Sequence, residues 1–173
     1  TLASALTIDK NLTIDGASLA SAVTVSGNHA VRVFTIAAGT TVTLNRLTIA
    51  NGYDASNGGG ISNSGTLTVM NSAFSGNSVF SSDVIPYGGG IYNNGGTLEV
   101  TNSTFSGNSA TNGNLGSPAY GGGVYNNGGT LAVTNSTFSG NGADYGGGIY
   151  TASGNPTIRN TIFWGNTAGI GAQ

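Results

Sequence analysis

The sequence predicts an all-β, right-handed parallel β-helix with three strands per coil, and three observations carry that prediction. A unit recurs four times in order: Gly58–Asn77 (GGGISNSGTLTVMNSAFSGN), Gly88–Asn108 (GGGIYNNGGTLEVTNSTFSGN), Gly121–Asn141 (GGGVYNNGGTLAVTNSTFSGN) and Gly146–Asn166 (GGGIYTASGNPTIRNTIFWGN). Successive units start 30, 33 and 25 residues apart, the spacing of a stacked repeat. Apolar residues within each unit alternate with polar ones, the period of a strand with one buried face. No stretch has helical periodicity, and glycine and β-branched residues oppose one throughout. One unit cannot bury its apolar residues alone, whereas like stacked on like makes a continuous core.

The opening residues announce the same winding. Leu6, Ile8, Leu12 and Ile14 alternate, predicting two short strands joined near residues 9–11. Residues 21–26, 30–36, 41–44 and 47–49 repeat the pattern up to Asn51 and Gly52. The chain therefore reads as a single domain over 1–173: degenerate N-terminal coils over 1–57, four explicit coils over 58–166 and a tail over 167–173. Within each explicit coil three strands are expected, in GGGIY, TLEVT and STFSG, with glycine- and asparagine-rich corners. Roughly seven coils are expected, which at the strand spacing of about 4.8 Å would make a rod on the order of 30 Å long.

Alternation draws four interior lines. Ile61, Ile91, Val124 and Ile149 form one, Leu67, Leu98 and Leu131 another. Val69, Val100, Val133 and Ile158 form a third, Phe74, Phe105, Phe138 and Phe163 a fourth. Pro156 falls where the leucine line expects its next member, so the strand there should be weaker. Asn71, Asn102, Asn135 and Asn160 fall at one corner, and Asn77, Asn108, Asn141 and Asn166 at another. Asparagine tolerates left-handed backbone, and stacked amides can bond along the axis. The variable material (residues 53–57, 78–87, 109–120 and 142–145) reads as insertion loops gathered along one edge.

Composition excludes several classes of function. Only 6% of residues are charged, 31 are glycine, and the formal charge of −2 leaves no basic footprint for nucleic acid. With no cysteine there is neither a disulfide framework nor a thiolate metal site. No apolar run reaches membrane-spanning length, so membrane insertion is not expected. The sequence starts at Thr1 without an initiator Met, which reads as a mature product or a piece of something longer.

The paired motifs resemble a known family. GGG followed by Ile or Val at 58–61, 88–91, 121–124 and 146–149, with F-x-x-N at 74–77, 105–108, 138–141 and 163–166, resembles the repeats of chlamydial polymorphic outer-membrane proteins. Those repeats pair GGA[IVL] with FxxN. The resemblance implies a right-handed β-helix on the bacterial exterior, often in adhesin-like passengers. The chain departs from the pattern with glycine at the third position (Gly60, Gly90, Gly123 and Gly148) and lacks a membrane-barrel segment.

The residues offer little to a catalytic reading. Cleaving polysaccharide on such a fold requires clustered carboxylates. The six acids, Asp9, Asp15, Asp54, Asp83, Glu99 and Asp144, are dispersed, and Glu99 shares its outward line with Thr68 and Ala132. His29 stands alone in a turn-like NHA. No catalytic residue and no cofactor is expected. Asp54, Asp83 and Asp144 share the loop edge, where carboxylates with carbonyls could hold structural calcium, although solvated loop acids are the plainer reading. The GGG stretches lack the lysine and helix of a phosphate loop.

The expected interaction surface is aromatic. Tyr92, Tyr125 and Tyr150 should project outward side by side, with Tyr87, Tyr120 and Tyr145 before each GGG. Such rows can bind surface glycans or simply stack on one another. Ile162 and Trp164 replace small polar residues at outward positions, which points to a surface covered by the tail or by a partner. Strand pattern runs to both ends, so the ends are expected to meet neighbouring modules or further copies of the chain, end to end. The sequence thus reads as a non-enzymatic structural or adhesive module at the bacterial cell surface. A carbohydrate-binding or polysaccharide-cleaving domain is the alternative.

Overall fold

A computed structural model describes residues 1–114 and 116–169. They contain strands, turns and bends but no helix. All strand pairs are parallel and join residues of successive coils, as in a β-solenoid of about six turns.

The strands form four sheets, so a coil has three or four strands: the three expected and, in every coil after the first, a short fourth. The first face stacks Leu6–Ile8, Phe34–Ile36, Ile61–Asn63, Ile91–Asn94, Val124–Asn127 and Ile149–Ser153. The second stacks Leu12–Asp15, Thr41–Asn45, Thr66–Met70, Thr97–Thr101, Thr130–Thr134 and Thr157–Arg159. The third stacks Val23–Ser26, Leu47–Ala50, Ala73–Ser75, Thr104–Ser106, Thr137–Ser139 and Ile162–Trp164. A fourth, five-stranded face holds Tyr53–Asp54, Ser78–Ser81, Ser109–Asn112, Gly142–Ala143 and Thr167–Ala168. The expected insertion loops therefore begin as strands. Ser78, Ser109 and Gly142 pair in register down the axis before their chains diverge. Spending more of the chain on each turn leaves six turns where seven were expected.

The four interior lines stack as the alternation requires. Ile91 pairs with Ile61 and Val124, Leu98 with Leu67 and Leu131, Val100 with Val69 and Val133, and Phe105 with Phe74 and Phe138. Their side chains are essentially sealed from solvent. Phe74, Phe105 and Phe138 stack face to face, with centroids 4.5 and 4.6 Å apart. Burying each such ring contributes about 2–3 kcal/mol. The early coils join the same sheets through Phe34–Ile61, Val42–Leu67 and Ile49–Phe74 pairs. At Pro156 the second-face strand shortens to Thr157–Arg159, because proline offers no N–H to the ladder.

The two asparagine lines do different work. Asn71, Asn102, Asn135 and Asn160 turn the corner between the second and third faces, with φ of 48–51°. Asn77, Asn108, Asn141 and Asn166 point inward instead. Each Nδ2 donates to the Oδ1 of the next, at 2.9, 2.9 and 2.8 Å. The Oδ1 atoms of Asn108, Asn141 and Asn166 also accept the backbone N–H of the asparagine before each, and Asn77 Oδ1 accepts that of Gly52, so the buried amides of the spine are paired.

Candidate functional site

Glycine backbone builds the aromatic corner. Tyr87, Tyr120 and Tyr145 pair in parallel immediately before their GGG segments, and Tyr92, Tyr125 and Tyr150 follow on the first face. The three intervening glycines fold the chain tightly enough to bring the two rows together. A Cβ on Gly121 would lie 2.8 Å from Tyr125 Cβ, and one on Gly146 equally close to Tyr150 Cβ. Only glycine admits that approach, and Gly121 and Gly146 also hold φ of 69° and 60°.

The two rows interleave. Along the rows, Tyr92–Tyr125 and Tyr125–Tyr150 centroids are 5.6 and 5.5 Å apart, and Tyr87–Tyr120 and Tyr120–Tyr145 are 5.8 and 5.1 Å apart. Across them, Tyr125 lies 4.6 Å from Tyr87, and Tyr150 lies 4.8 Å from Tyr120. The rows stack side by side, and at their centre the outward-facing Tyr125 is covered. Tyr125 is buried, while Tyr92 and Tyr150 are half-buried, because the rings before each GGG lie over the first-face row. Burial, followed by its neighbours Tyr87 and Tyr92, pushes the Tyr125 phenol up to about 12. Burial also raises Tyr87 and Tyr120. The corner is a wall of phenol rings stacked on one another.

Ile162 and Trp164 lie on another face. They flank Phe163 on the last third-face strand, opposite Thr137 and Ser139, and are 61% and 76% exposed. No described part of the tail covers them. Their strand and its second-face neighbour also form an apolar end. Ile158 and Phe163 are 40% and 41% exposed, whereas Val133 and Phe138, one coil earlier, are sealed. Tyr92, Tyr125 and Tyr150 are therefore gathered into one corner that does not include Ile162 and Trp164.

The loop acids separate. Asp54 forms an ion pair with Arg32 at 2.7 Å and accepts the N–H of Ser56 and Asn57. Arg32 in turn donates to the carbonyls of Asn57 and Gly58, tying the first variable segment to the coil before it. Asp144 accepts the Ala119 N–H at 2.8 Å, and Asp83 is exposed. Among the described residues, no three Asp, Glu or His side chains gather as metal ligands would. His29 sits in a left-handed turn, its N–H bonded to Asn51 O.

Sequence reasoning missed a second buried amide row on the first face. Asn63 Nδ2 donates to Asn93 Oδ1, and Asn93 Nδ2 to Asn126 Oδ1, both at 2.7 Å. Alternation could have found it, since these residues share inward parity with Ile61, Ile91 and Val124.

Residues 135–152 match the family described as the Chlamydia polymorphic membrane protein repeat. The matched segment spans the F-x-x-N motif at 138–141 and the GGGI motif at 146–149, so it runs from the third face through the fourth-face strand Gly142–Ala143 to the first. No curated protein and no solved structure matches the chain.

Proposed function

We propose that this chain, which carries a Chlamydia polymorphic membrane protein repeat on a β-solenoid, is a non-enzymatic structural or adhesive module of a bacterial surface protein, extended end to end by further coils. The observation that carries this reading is the coupling of the matched repeat to axial ladders that can continue indefinitely. The isoleucine/valine, valine, phenylalanine and asparagine-spine rows pass from coil to coil in register down to Ile149, Ile158, Phe163 and Asn166, and among the described residues the row at Ile158 and Phe163 is open to a further coil. The matched family is named for a membrane-protein repeat and not for a reaction, which fits a scaffold better than a catalyst.

Antibodies raised against the folded chain test the location. They should stain intact source cells as strongly as permeabilised ones, and staining only after permeabilisation would contradict a surface role.

A glycan-binding reading has one observation of its own. Tyr145 meets Asp144, Asn112 and Asn114 around a shallow pocket beside the tyrosine corner, pairing an aromatic ring with polar groups. Titration with oligosaccharides distinguishes the two, since a pure scaffold shows no saturable binding.

A further inference from the structure

The sequence holds six Asn–Gly pairs, beginning at Asn51, Asn57, Asn94, Asn112, Asn127 and Asn141. In such a pair the glycine nitrogen can attack the asparagine side-chain carbonyl, because no Cβ crowds the ring that forms. A nitrogen whose N–H is already bonded within a ladder must first break that bond. Five of the six glycines are held this way. Gly52 donates to Asn77 Oδ1 at 2.9 Å. Gly58, Gly95, Gly113 and Gly142 donate to the carbonyls of Tyr87, Asn127, Ser81 and Asn108, at 2.8–3.0 Å. Gly128 N–H has no partner among the described residues, and both Asn127 and Gly128 are exposed.

The cause is a register shift. Asn126 pairs with Thr151, but Asn127 pairs with Ser153, so Ala152 is left over in the adjoining strand. One coil earlier, the regular Asn94–Asn127 pair leads directly to the Gly95 bond. At the bulge, the Ser153 carbonyl instead accepts Asn126 Nδ2 at 3.4 Å, and the Gly128 N–H is left to solvent.

We propose that Asn127 is a self-modifying site that deamidates in the folded protein. The Gly128 nitrogen loses its proton and bonds to Asn127 Cγ, the Cγ–Nδ2 bond breaks, and ammonia leaves a succinimide. Water then opens that ring at either carbonyl to give aspartate or isoaspartate. The change has a structural consequence, because Asn127 Nδ2 donates to Asn94 Oδ1 at 3.0 Å. A carboxylate there loses the donor and sets two acceptors against each other, loosening the exposed corner row.

Asn94 supplies an internal control, since YNNGGTL occurs at both 92–98 and 125–131. The folded chain is incubated at mildly alkaline pH, and amide-to-acid conversion is located by fragmentation mass spectrometry. Asn127 should convert roughly fivefold to tenfold faster than Asn94, the factor that one net hydrogen bond supplies. In denaturant the two should convert equally. Equal rates in the folded chain, or no conversion at Asn127, would overturn the proposal. Deleting Ala152 should restore the register and slow Asn127 to the rate of Asn94. A folded deletion variant with an unchanged rate would also overturn it, and the wild-type comparison decides if the deletion does not fold.

Discussion

Asn108 concentrates the stabilising chemistry of the spine in one side chain. Its Nδ2 donates to Phe74 O and Asn141 Oδ1, and its Oδ1 accepts from both the N–H and Nδ2 of Asn77. Replacing Asn108 by Ala strands several buried groups at once, and each costs about 1–3 kcal/mol when unpaired. We expect a loss of about 3 kcal/mol or more in chemical denaturation. Phe105→Ala should cost about 3–5 kcal/mol, because a ring stacked between two others leaves a cavity that rigid coils cannot close. A loss below about 1 kcal/mol for either variant would contradict its interior role. The repeat-family pattern places Ala where this chain has Gly90, and here the substitution should be harmful. The added Cβ would lie 2.5 Å from Gly123 O and 3.3 Å from Phe105 Cδ1, so Gly90→Ala should destabilise by about 1–3 kcal/mol. Unchanged stability would mean that the coils can separate to admit a methyl group.

At the scale of elements, legibility followed regularity. The isoleucine, leucine, valine and phenylalanine rows could be read because repetition and alternation agreed at each position. The fourth face could not, since SVFS at 78–81 and SATN at 109–112 share little sequence and sit in the variable stretch. Tyr125 was placed outward by strand parity, correctly as to direction. Its burial comes from Tyr87 and Tyr120 folding over it, which strand parity cannot register. That burial makes a pH prediction. Folded Tyr125 holds its proton up to about pH 12, whereas the unfolded chain releases it near the ordinary value of about 10. As pH rises, the unfolded state therefore sheds the proton first and is favoured. The contribution of the corner is complete below about pH 10 and is lost as pH rises through about 12, with Tyr87 and Tyr120 adding in the same direction. Thermal unfolding across that window should show a falling melting temperature, reduced in Tyr125→Phe. A flat profile in the wild type would contradict the buried phenol.

The whole molecule is a one-dimensional stack, and its stability is set by interfaces between neighbouring coils. Inside the stack, each row is sealed by coils on both sides. Among the described residues, the same rows are open on one side at Ile158 and Phe163, next to the exposed Ile162 and Trp164. On the proposed reading, an apolar surface of this kind takes up another coil. The contact between the two ends of a coil stack is heterologous, so addition does not close on itself. The most direct measurement is small-angle scattering of the chain over a wide range of concentration, with Phe163→Glu as the comparison. End-to-end addition should give rods of constant cross-section that lengthen with concentration, and a shift toward single chains in the variant. A compact single-chain particle at every concentration, with Phe163→Glu indistinguishable from the wild type, would contradict it.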